Sequence, residues 1–151
     1  MRTLIARVIA CAGMLAMAAV AQAPTFQLVG NMSQLMIDII YPASDALFYV
    51  DRDPPKDQHD WNILRGQALM LAESGNLLVM PGRARDQENW VKDSKMMIEA
   101  GSAAFKAARA KDIEGVRAVN DQLYQSCVSC HQQYRPNYPG YKRPGQAPAQ
   151  K

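Results

Sequence analysis

From residue 28 to residue 134 the hydrophobic positions recur every three or four places, in four blocks separated by polar or proline-containing breaks. That spacing is the signature of amphipathic helices. In the first block Leu28, Met32, Leu35, Met36, Ile39, Ala43, Ala46, Leu47 and Val50 share one side. Pro42 lies inside this block, withholds one backbone donor and predicts a kink. The stretch 51–56, with Pro54 and Pro55, breaks the pattern. A second helix is expected to begin at Asp53 or Asp57, to turn Trp61, Leu64, Ala68, Leu71 and Ala72 inward, and to stop at Gly75. An apolar connection, Leu77 to Met80, and a Pro81-Gly82 turn follow. Asp86 then caps a third helix with Trp90, Met97, Ile98, Gly101, Phe105 and Ala108 inward. Asp112 opens a fourth, carrying Ile113, Val116, Leu123, Tyr124, Cys127, His131 and Tyr134. No run alternates with the period of two that a strand requires. The expected fold is all-α, an antiparallel up-down-up-down four-helix bundle.

Composition changes this picture mainly at the two ends. With 151 residues, 48% of them hydrophobic, the chain suits one domain with a real core. Three cysteines are too few for a disulfide scaffold. Residues 1–23 read as a cleaved signal peptide: Arg2 and Arg7, an uncharged apolar stretch from Val8 to Val20, then Ala21-Gln22-Ala23 as a small-x-small cleavage pattern. The apolar run is short for a membrane span, so none is expected in the mature protein. The net charge of +3 loses Arg2 and Arg7 with the signal, which leaves a nearly neutral chain and no footprint for nucleic acid. Cys11 leaves too. Residues 24–135 form the expected domain. Residues 136–151, proline-rich and without an acidic residue, are expected to be a flexible basic tail. Export places the protein in a periplasm.

The chemistry is concentrated in Cys127-Val128-Ser129-Cys130-His131, the pattern of c-type haem attachment. At about 100° per residue, cysteines three apart lie on neighbouring parts of one helix face, and a histidine four beyond the first projects from nearly the same side. Two thiols can then bond one edge of a haem while the imidazole meets its iron. Three other readings use the same residues. A Cys-x-x-Cys redox pair wants a strand-to-helix setting that this helical chain lacks. A zinc site needs a fourth ligand, from His59 or a carboxylate. A disulfide across so tight a spacing closes too small a loop to stabilise much. Only 20 residues follow His131, so any pocket and second axial ligand must come from upstream.

With Cys127-Val128-Ser129-Cys130-His131-Gln132-Gln133-Tyr134-Arg135 near the C-terminus and four helical blocks before it, the chain resembles class II c-type cytochromes, the cytochrome c′ family. The resemblance implies one covalent haem c, with its iron, between the helices near one end of a bundle. His131 would be the proximal iron ligand, and Cys127 and Cys130 the thioether positions. The stretch from Gln27 to Met36 resembles the first helix of the low-spin, methionine-ligated members, and the match to their distal ligand falls on Met36. Met32, one turn earlier, is the second choice. Core packing is the alternative role for both, as it is for Met70, Met80, Met96 and Met97. Arg135, four beyond His131, resembles the basic residue that family members carry beside the proximal imidazole. Arg83 and Arg85 are candidates to pair with haem propionates, or else solvated charges. His59, among Lys56, Asp57 and Asp60, is expected in solvent or near a cap, and Trp61 and Trp90 in the core.

The function that follows is electron transfer in the periplasm through a His/Met-ligated iron, with a redox partner protein and a possible homodimer. The alternative is a five-coordinate haem protein that binds NO or CO, with Met36 only walling the distal side. The chain is read as an electron carrier rather than an enzyme, because it offers no carboxylate pair, Ser/His/Asp set or phosphate-cradling loop.

Overall fold

The computed structural model describes residues 25–140; the expected signal peptide and positions 141–151 of the expected tail lie outside them. Among the described residues the structure is all-helical. No helix there is long and apolar enough to cross a membrane.

The first helix, α1, is made of three consecutive pieces: Met32–Gln34, a π-helical segment Leu35–Ile40, and Tyr41–Phe48. Asn31 and Gln34 start it with a reciprocal capping box, each side chain holding the other's backbone N–H. Helix α2 spans Gln58–Leu78 and is capped by Asp57, which accepts from the backbone N–H groups of His59 and Asp60. Helix α3 spans Asn89–Ala110. A short helical turn, Ile113–Arg117, capped by Asp112, leads into α4, Asn120–Tyr134.

The helix continues through Pro42 and widens ahead of it, where the N–H of Tyr41 bonds the carbonyl of Met36, five residues back. Three expectations need correction. Gly75 is not a stop. It lies inside α2 where α3 crosses, and a Cβ there would come within 2.3 Å of Ile98. The fourth block is two helices, because the chain turns at Ala118 and Val119. Leu28 and Tyr124, expected inward, are exposed, Tyr124 to 56%.

The core runs through all four helices: Leu35, Ala43 and Leu47 from α1, Leu64, Ala68 and Leu71 from α2, Trp90, Met97, Ala100 and Ala104 from α3, and Leu123 from α4. The closest packing is between α2 and α3, where Gly101 sets its backbone against Ala72. Helix α1 packs chiefly on α2 and α4 chiefly on α3, whereas α1 and α4 share little direct packing. At the α2–α3 connection the Trp90 indole N–H donates to the carbonyl of Leu78 at 2.8 Å and closes the end of α2. Arg83 donates to the carbonyls of Gly30 and Leu77, tying this connection to the segment entering α1.

Candidate functional site

The last two turns of α4 carry Cys127, Cys130 and His131, and the local sequence explains how they are held. Leu123 and Ser126 are the buried residues of this helix, and the Ser126 hydroxyl donates back to the carbonyl of Leu123 at 2.7 Å. Both cysteines are half-buried free thiols packed against the core. The helix stops at Arg135, whose backbone is extended (φ −104°, ψ 101°), because Pro136 disfavours the α conformation in the residue before it.

Burial pushes the Cys127 thiol up. It pushes Cys130 up to about 12, with the carboxylates of Asp93 and Asp86 and the neighbouring Cys127 adding to the effect. Both are therefore neutral thiols near pH 7. His131 is shifted the other way: burial first, and the positive charge of Arg135 second, hold its imidazole below the ordinary histidine range. The site presents two neutral thiols and one neutral imidazole on one helix face. Among the described residues, no three His, Cys, Asp or Glu side chains converge in a metal-holding group.

Three neighbours complete the site; the spacing placed Tyr134 on the helix without a role, and Tyr138 and Asp93 had no place in the sequence reading. Tyr138 brings its ring to 5.2 Å from that of His131, as residues 136–140 turn back over the end of α4 with the Tyr138 N–H on the carbonyl of Arg135. Asn137 permits the turn by adopting φ 71°, a conformation asparagine tolerates better than most residues. Tyr134 sets its ring edge-on to Trp90 at 4.9 Å and donates its hydroxyl to Asp86. Asp93, on the buried face of α3, is 3% exposed, and one of its carboxylate oxygens has no hydrogen-bond partner. Burial raises its pKa, against a hydrogen bond from Ser129. The spacing Trp90, Asp93, Met97 was a sequence signal that this acid faces inward.

The remaining candidates divide. Met32 and Met36 are both half-buried on α1 and pack against the same core as the two cysteines. Arg135 does not extend the helix; its guanidinium lies 5.8 Å over the Tyr138 ring and acts on His131 through space. Arg83 is partly occupied by the two backbone carbonyls it holds, and Arg85 is exposed. Met80 sits with its sulfur 4.0 Å from the Arg83 guanidinium. His59 is exposed on the first turn of α2. Trp90 is buried and Trp61 half-buried against the core.

Comparison with known proteins returns no matching family model, no matching curated protein and no matching solved structure. The functional reading rests on the side chains themselves.

Proposed function

We propose that this chain is an exported c-type cytochrome with one covalent haem c, held by Cys127 and Cys130 as thioethers and by His131 and Met36 as proximal and distal iron ligands. The observation that carries the reading is the presentation of two unbridged, half-buried thiols and a neutral imidazole on consecutive turns of α4. The raised thiols argue against a reactive dithiol, which works through a lowered pKa. Helices α1 and α4 share little direct packing, and Met36 and the two cysteines lie half-buried against one core, an arrangement that suits a planar group held between them. Contacts between Ala72 and Gly101 and between Gly75 and Ile98 fit antiparallel α2 and α3, and those between Gln122 and Glu99 and between Tyr134 and Trp90 fit antiparallel α3 and α4, as three consecutive helices of an up-down-up-down bundle would be.

When bound, the haem supplies a one-electron iron couple. The protein's part is positional. Cys127 and Cys130 fix one edge, and His131 offers an unprotonated nitrogen. Tyr138 covers part of that imidazole, and the thioether sulfur of Met36 is a soft neutral donor that raises the reduction potential. His131 and Met36 would hold the iron from α4 and α1, and the group would supply one-electron transfer with little rearrangement of either side chain. Arg83 keeps N–H donors free for a propionate. The signal peptide sends the chain to a periplasm, where its partner is another redox protein and a homodimer is open to it.

The test is the visible spectrum of protein matured in a host able to attach c-type haem. Low-spin bands with a methionine–ferric-iron charge-transfer feature, lost in Met36→Ala, are the expected result. High-spin bands in the unaltered protein would shift the reading to a gas-binding haem protein. Absence of covalent haem would overturn it.

A further inference from the structure

The burial pattern of α1 contains an irregular step. Counting back from Val50, the core positions are Leu47, Ala43, Ile40 and then Leu35. The steps are three or four until the last, which is five. That long step coincides with the π-helical segment Leu35–Ile40, closed by the bond from the Tyr41 N–H to the Met36 carbonyl. Pro42 follows at once. It has no N–H, and its ring excludes the carbonyl of Asp38 from the position an α-helix would give it.

A π-turn inserts one residue into the helical repeat and rotates everything before it. In an uninterrupted α-helix, at about 100° per residue, Met36 would lie within about 20° of Ala43 and point into the centre of the core, with Leu35 about 100° to the side. The structure shows the shifted arrangement: Leu35 is 4% exposed in the core and Met36 is half-buried at its margin. Asp38, the polar residue within the segment, is exposed.

We infer that Pro42 is a positioning residue: by holding the π-turn it sets the rotational register of α1, and thereby takes Met36 out of the core and makes its sulfur available as a ligand. The inference rests on the reading of Met36 as the distal ligand, but the register itself is testable without it.

The experiment uses the full chain, matured with haem, in three backgrounds: unaltered, Pro42→Ala, and Pro42→Ala with Asp38 deleted. The deletion restores a four-residue step between Leu35 and Ile40 with no π-turn, and so returns Met36 to its original side. In each background Leu35→Cys and Met36→Cys are introduced separately, and thiol labelling is located by peptide mass spectrometry. Position 36 should label faster than 35 in the unaltered background, the order should invert in Pro42→Ala, and it should revert with the deletion. An unchanged order in Pro42→Ala overturns the inference. In the forms that keep Met36, the methionine–iron charge-transfer feature should be lost in Pro42→Ala and regained with the deletion, with covalent haem retained throughout. If the labelling inverts but the feature persists, register does not set the ligand. If the unaltered protein lacks the feature, the distal-ligand reading fails and the labelling still decides the role of Pro42.

Discussion

The hydroxyl of Tyr134 donates to the carboxylate of Asp86, 48 residues earlier in the chain. Asp86 uses its other oxygen to accept the backbone N–H groups of Glu88 and Trp90, so one carboxylate both starts α3 and holds the end of α4, one turn beyond His131. Tyr134→Phe keeps the edge-on contact with Trp90 and removes only the hydrogen bond. It should cost about 1 kcal/mol of stability, and Asp86→Ala, which also removes the bonds to the N–H groups of Glu88 and Trp90 just ahead of and inside the first turn of α3, about 1 kcal/mol more. Chemical denaturation of the three proteins measures both. Equal stability of Tyr134→Phe and the unaltered chain would show the bond to be energetically idle.

Asp86 and Asp93 should give stability opposite dependences on pH. The Tyr134 hydroxyl first, and the Trp90 N–H second, hold Asp86 below the ordinary carboxylate value. Its contribution is present above that ordinary value and lost as pH falls through the depressed folded one. Burial raises Asp93. Its contribution is present below the ordinary value and lost as pH rises through the raised one. Melting temperature followed from acid to neutral pH should lose part of its acid decline in Asp86→Asn. It should lose part of its decline toward neutrality in Asp93→Asn.

Two glycines at the α2–α3 crossing should both resist alanine. A Cβ at Gly101 would meet the backbone nitrogen of Ala72 at 2.7 Å, and main chain cannot step aside. At Gly75 the nearest atom, at 2.3 Å, is Cγ1 of Ile98, next to the branch point of a side chain that a helix holds to one rotamer, and the backbone carbonyl of Ser94 lies at 3.2 Å. Gly101→Ala and Gly75→Ala should each destabilise by roughly 1–3 kcal/mol, net of about 1 kcal/mol of helix preference over glycine. Thermal unfolding in which either variant matches the unaltered chain would contradict this.

Arg135 lowers the proton affinity of His131 through space, as a smaller partner to burial. In haem-free protein, Arg135→Gln should raise the His131 pKa while leaving it below that of an exposed histidine. Nuclear magnetic resonance titration of the imidazole protons reads this directly.

Local chemistry was legible in the sequence wherever one residue decides the outcome. Asp57 and Asp112 cap the helices they were expected to start, and the inward faces of α2 and α3 follow their apolar spacing. What escaped depended on partners distant in the chain. Gly75 reads as a stop because glycine is common just past helix ends, and only the approach of Ile98 reveals it as a crossing point. Within the candidate site, Cys127, Cys130 and His131 announce themselves by spacing. Tyr138 does not, because its place over His131 depends on a turn through a left-handed Asn137.

The seam of small residues between α2 and α3, where Gly101 lies against Ala72, gives the molecule a stiff keel with a flank on either side. Helix α1 hangs from one flank and α4 from the other, with little packing between them. A displacement of α1 therefore reaches α4 chiefly through the α2–α3 seam, so the end of α4 that carries Cys127, Cys130 and His131 can stay at rest while α1 moves.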